Sequence, residues 1–126
     1  MKGDILTKAD VETFVNAFYG RVQKDDLIGP IFNSKIAADQ WPAHLAKMYK
    51  FWQGILFGNS EYVGNPFAHH RHLPVGEDHF ERWISLFVQT IDDHFDGEKA
   101  SLAKHRAASI AAIFLNKIMF ERGLQA

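Results

Sequence analysis

The 126-residue sequence contains no cysteine, and that absence excludes several chemistries at once. Disulfides, thiolate zinc sites, iron–sulfur clusters, cysteine nucleophiles and the C-x-x-C-H attachment of covalently held haem all need a sulfur atom that this chain lacks. A metal here must rest on His, on carboxylates, or on a cofactor held without a covalent bond. Basic excess is missing as well. Fourteen Lys and Arg stand against fifteen Asp and Glu, for a formal net charge of -1, without the positive face that phosphate backbones require. Nucleic acid is therefore not an expected partner. No apolar run approaches the roughly 18 residues that span a bilayer, and the opening MKGDILTKAD has no apolar signal core. The expectation is a cytoplasmic protein with no membrane partner.

What is present is apolar and aromatic. The chain is 47% hydrophobic and 23% charged, the balance of a globular protein and too apolar for a disordered one. Its length fits one domain over residues 1–126, large enough to bury a core. Seven His, three Trp and eleven Phe are a heavy aromatic and imidazole content for so short a chain.

Apolar spacing places these residues on helices, with no strand pattern, internal repeat or low-complexity tract. Val11, Phe14, Val15, Phe18, Tyr19 and Val22 fall on one stripe and predict an amphipathic helix over about Thr7–Val22, with Thr7 and Asp10 as its capping box. Asp25, Asp26, Gly29 and Pro30 break that pattern and predict a compact apolar corner carrying Leu27, Ile28, Ile31 and Phe32. A second helix is predicted over Trp41–Phe57, with Pro42 in its first turn, Gly58 as its stop, and His44, Met48, Phe51, Trp52 and Ile55 on its buried stripe. Residues 58–66 read as an ordered loop and Phe67–Leu73 as a short helix closed by Pro74 and Gly76. Long helices follow over about Glu77–Phe95, with Phe80, Trp83, Ile84, Phe87, Val88, Ile91 and Phe95 repeating at helical spacing, and, after Asp96 and Gly97, to about Arg122. The last buries Ala103, Ala107, Ile110, Ala111, Phe114 and Ile118. The fold class is all-α.

Three of the inward positions carry polar tips: Tyr19, His44 and Trp83, each on a different helix. Taken singly, an inward Tyr, His or Trp is ordinary core packing with one satisfied hydrogen bond. Three donors able to face one interior space point to water or a ligand held there. The run His69-His70-Arg71-His72 is the densest imidazole cluster. It has no carboxylate within it and no H-E-x-x-H spacing for zinc; it suits a solvated basic turn, or one imidazole acting as an axial ligand to an apolar prosthetic ring.

The pieces Ala17-Phe18-Tyr19, Leu27 to Asn33, Trp41-Pro42-Ala43-His44, Phe51-Trp52-Gln53-Gly54, His70-Arg71-His72-Leu73-Pro74 and Phe80-Glu81-Arg82-Trp83 follow in an order that resembles the group III truncated haemoglobins over nearly the whole chain. The resemblance implies a two-over-two helical sandwich around non-covalent haem b. It implies His70, three residues before the Leu-Pro pair, as the proximal iron ligand, and Tyr19, His44 and Trp83 as the distal ligand-binding set. Phe18, Phe32, Met48 and Phe51 would wall the cofactor site, and Lys47 would reach a propionate. No side chain is assigned a catalytic role. Paired glycines of the other truncated-globin groups are absent, in keeping with group III.

The function implied is reversible binding of a diatomic gas, O2 above all, with NO and CO also taken. Two distal donors, each contributing on the order of 1 to 2 kcal/mol, would slow O2 escape roughly ten- to several-hundred-fold. Slow release suits redox work, such as NO dioxygenation with a reductase partner or peroxide turnover, better than bulk O2 transport. The alternatives are a cofactor-free helical interaction or sensor domain, whose Trp and Phe stripes are only core, and a His-only non-haem metal site.

Overall fold

In a computed structural model of the chain, residues 2–58, 75–121 and 123 are described. They form helices α1 (Lys8–Lys24), α2 (Gly29–Lys35), α3 (Trp41–Phe57, entered through a 3-10 turn at Ala38–Gln40), α4 (Glu77–His94) and α5 (Glu98–Glu121). The predicted short helix at Phe67–Leu73 and nearly all of the predicted loop lie outside the described residues. No strand occurs among the described residues. Helix α1 packs on α3 and α4 pairs with α5, while α1 faces α4 and α3 touches α5. Two helices thus lie over two, all-α as the periodicity predicts.

The start of α1 is fixed locally. The Asp10 backbone N–H donates to Thr7 Oγ1 at 3.2 Å and the Thr7 N–H returns to Asp10 Oδ2 at 3.1 Å, so two otherwise orphaned donors are satisfied in the predicted capping box. All six predicted stripe residues of α1 are buried. Helix α3 ends at Gly58, whose φ of +75° is the left-handed conformation that glycine adopts without strain.

Two expectations change. The predicted corner is a two-turn helix, α2, because Pro30 sits in the first turn of a helix, where its missing N–H costs nothing and its fixed φ is already helical. The Asp25 carboxylate accepts the N–H groups of Leu27 and Ile28 at 3.0 Å each and shapes the chain's entry into α2. On α3 the buried face is rotated from the predicted stripe. Trp52, Gln53 and Leu56 are buried there, whereas His44, Met48, Phe51 and Ile55 are half-buried at its edge.

The start of α5 is capped from far away. Asp4 accepts the N–H groups of Lys99 at 2.9 Å and Ala100 at 2.8 Å, an anion on the positive end of a helix. Burial raises the Asp4 carboxyl, but the N–H donors of Lys99, Ala100 and Ile5 and the charge of Lys99 together hold it below the ordinary carboxylate range. Gly97 is required beside it, at φ +146°, since a Cβ there would lie 2.5 Å from Asp4 Cγ.

Helices α1, α3 and α4 meet in a core of rings. Phe14 meets Trp52, Phe87 and Phe95 edge to face at 5.8, 5.9 and 6.5 Å, and Phe87 stacks between Trp52 (4.9 Å) and Trp83 (5.8 Å). This stack runs from the closed centre of the bundle to the wall of a cavity.

Candidate functional site

The cavity opens where α1, α2, α3, α4 and α5 converge. Its volume is about 90 Å³. Among the described residues, Tyr19 of α1, Phe32 and Ile31 of α2, His44 of α3, His79, Phe80 and Trp83 of α4, and Ala111 and Phe114 of α5 line it, with Ile28 and Val75. The three polar-tipped residues singled out from sequence therefore reach one space from three helices.

Each reaches it for a local reason. Tyr19 lies one residue beyond Phe18 on the buried stripe of α1, its ring 4.9 Å from that of Phe18 and 6.1 Å from Phe32. Trp83 is one turn before Phe87 on α4, stacked on it and met edge-on by Phe18 at 5.5 Å. His44 is held edge-on by Tyr19 at 5.1 Å and by Trp41 at 5.5 Å, and its Nε2 is buried.

The remaining predicted site residues are placed differently. Phe32 lines the cavity, and Phe18 stands behind its wall, 2% exposed. Met48 and Phe51 are half-buried on α3 outside the described lining, Phe51 lying 5.5 Å from the Trp52 ring, and Lys47 is exposed. His70, with its neighbours His69 and His72, lies outside the described residues. No three His, Asp or Glu gather into a metal-holding group among the described residues.

Sequence reasoning missed two side chains. His79 lines the cavity one helical turn before Trp83, and that i, i+4 spacing is the signal that could have found it. Its Nδ1 accepts the Gly76 N–H at 3.0 Å at the start of α4, which in the neutral ring leaves the proton on Nε2. Trp41 lies three residues before His44, on the same side of α3.

Electrostatically, the α1–α2 corner is tied to the cavity wall by Arg82, the neighbour of Trp83, which donates to Asp25 Oδ1 at 2.7 Å. Burial raises the Asp25 carboxyl, but the Ile28 N–H, the Arg82 guanidinium and the Leu27 N–H together hold it below the usual carboxylate range. The walls themselves are largely apolar rings and aliphatic side chains, with a hydroxyl, imidazoles and an indole N–H as the polar tips. That donor set fits a flat apolar prosthetic ring with a small polar ligand on one face.

Comparison with known proteins agrees with this geometry. The bacterial-like globin family pattern matches residues 4–117. Group 3 truncated hemoglobin ctb of Campylobacter jejuni is 33% identical over 121 residues, covering 94% of this chain and 95% of that protein. The crystal structure of group III truncated hemoglobin from Campylobacter jejuni superposes with a TM-score of 0.84 at 33% identity, over 94% of this chain and 95% of the other. No described helix is long and apolar enough to cross a membrane. On these matches the chain belongs to the bacterial-like globin family, as a truncated haemoglobin of group III.

Proposed function

We propose that residues 1–126 form one haem domain that holds haem b through His70 and binds a diatomic gas on the side facing Tyr19, His44 and Trp83. The observation that carries this reading is the convergence of those three side chains, from three helices, on one cavity with otherwise apolar walls. When bound, haem would supply an iron able to take O2, NO or CO and the electron exchange that NO or peroxide chemistry needs.

The chain's own residues do the rest. Tyr19 Oη and the Trp83 indole N–H are the donors that these two lining residues bring to the cavity, and they would favour the more polar O2 over CO. Phe32, Phe80 and Phe114 exclude water from the walls, which strengthens each polar contact inside. His44 is the group able to hold or move a proton at the ligand, through Nε2. Phe18 fixes Tyr19 from behind. Met48 and Phe51 form the outer wall and Lys47 meets a propionate as part of the same proposal. Tight retention by two donors favours NO or peroxide turnover, with a reductase as electron donor and a cytoplasmic setting, over bulk O2 transport.

The test is the colour and spectrum of the purified protein supplied with haem. A strong Soret band is expected, together with a ferrous form that binds CO and O2. Replacing His70→Ala should abolish normal axial ligation and lower haem uptake at least tenfold. A colourless protein, or ligation unaltered in His70→Ala, rejects the assignment.

A further inference from the structure

Three rings form a group at the cavity's edge. Tyr19, Trp41 and His44 touch one another mutually: Tyr19 to His44 at 5.1 Å and 86°, Trp41 to His44 at 5.5 Å and 89°, Tyr19 to Trp41 at 5.8 Å and 58°.

The imidazole is perpendicular to both of its neighbours. Each such edge-to-face contact has a preferred geometry that is lost when either ring turns. Rotating His44 toward solvent, or deeper into the cavity, breaks both contacts at once. Trp41 is 9% exposed, belongs to the hydrophobic core and does not line the cavity. It reaches the ligand space through His44 and, by its ring contact, through Tyr19.

We propose that Trp41 is a positioning residue: with Tyr19 it clamps the His44 imidazole in one orientation, so that His44 Nε2 faces the ligand space without swinging out to solvent or in to the iron. The inference rests on the haem reading for its consequence and on the ring geometry alone for the clamp itself. Tyr19 thereby has two roles, since its ring clamps while its hydroxyl donates. Trp41 has one.

A double-mutant cycle tests it. Cyanide association with the ferric haem-loaded protein is measured by stopped flow for the wild type, Trp41→Leu, His44→Leu and the double variant. Loss of one clamping contact should change the association rate roughly three- to tenfold when His44 is present and clearly less when His44 is absent, where only the Tyr19 contact remains to be lost. The ligand-free ferrous spectrum shows which way the ring went, because entry onto the iron gives a six-coordinate band and exit to solvent does not. Trp41→Phe, which keeps an aromatic face, should restore most of the wild-type rate. If Trp41→Leu does not fold, Trp41→Met fills the space without a ring face and takes its place in the cycle.

An equal change in both His44 backgrounds, or none in either, overturns the clamp. A protein that takes up no haem rejects the haem reading instead, and the clamp is then decided by proton–carbon NMR of the His44 ring in the haem-free chain. There, nuclear Overhauser contacts between the His44 and Tyr19 rings that are present in the wild type and lost in Trp41→Leu uphold it, and the same contacts kept in both overturn it.

Discussion

Phe14 and Tyr19 lie on the same buried stripe of α1, yet their surroundings are of opposite kinds. Phe14 is 0% exposed and surrounded edge to face by Trp52, Phe87 and Phe95. Tyr19, 6% exposed, meets Phe18, Phe32, Trp41 and His44 with its ring and still borders open space. The rings about Phe14 close on one another edge to face, whereas the polar tips of Tyr19, His44 and Trp83 belong to side chains that line one cavity, where a few polar groups among apolar walls fix the orientation of a small ligand. One stripe of one helix thus builds both the part of the molecule that holds it together and the part that receives a ligand.

If that contrast is right, truncation in the closed region should be the more damaging to folding. Phe14→Ala is expected to lower stability by about 3 to 5 kcal/mol, the cost of a lost ring plus the space left behind. Urea denaturation checks this. A loss below about 1 kcal/mol would mean that the ring cluster collapses freely, and the two regions would no longer differ.

Tyr19→Phe should do the reverse. The ring and its packing stay, so stability changes little, while loss of the hydroxyl speeds O2 dissociation roughly five- to thirtyfold, corresponding to about 1 to 2 kcal/mol for one donor. Stopped-flow displacement of O2 measures it. An unchanged rate removes Tyr19 Oη from the ligand's surroundings and leaves its ring as core alone.

The closed region was the more legible in sequence. The six stripe positions of α1 could be read from spacing because its other faces are polar, so only one orientation buries the apolar side. Helix α3 is apolar over much of its circumference, and spacing alone did not distinguish its Trp52–Leu56 face from its His44–Ile55 edge; a buried Gln53 also ran against the pattern. Gly29-Pro30 read as a break and proved to open α2, since one residue pair serves both purposes. The cap on α5 comes from Asp4, 95 residues before Lys99, which no local motif shows. At the cavity, Tyr19, His44 and Trp83 were found because polar tips on apolar stripes stand out. His79 was missed although it stands one helical turn before Trp83, and Trp41 is recognised only by what it touches.

The smallest expected effect concerns an ion pair on the cavity side alone. Arg82 and Asp25 join α4, beside Trp83, to the corner that carries Ile28 and Phe32, and so brace the cavity rather than the closed core. Replacing Arg82→Met leaves Asp25 its two backbone donors and removes the charged one, at a cost of about 1 kcal/mol near neutral pH, since Arg82 is 44% exposed and water screens the pair. The pH dependence has a definite sign. The Asp25 carboxyl is held below its ordinary value in the folded chain, so the stability it contributes is complete above the unfolded value of about 3.9 and is lost as pH falls below that toward the folded one. The gap in urea midpoint between wild type and Arg82→Met should therefore be full at pH 7 and shrink on acidification below about pH 4. A gap that persists unchanged at low pH would show that Arg82 acts through its packing on α4. Amide exchange should then find no selective loosening of the α1–α2 corner in the variant, whereas a working brace predicts faster exchange there and none around Phe14.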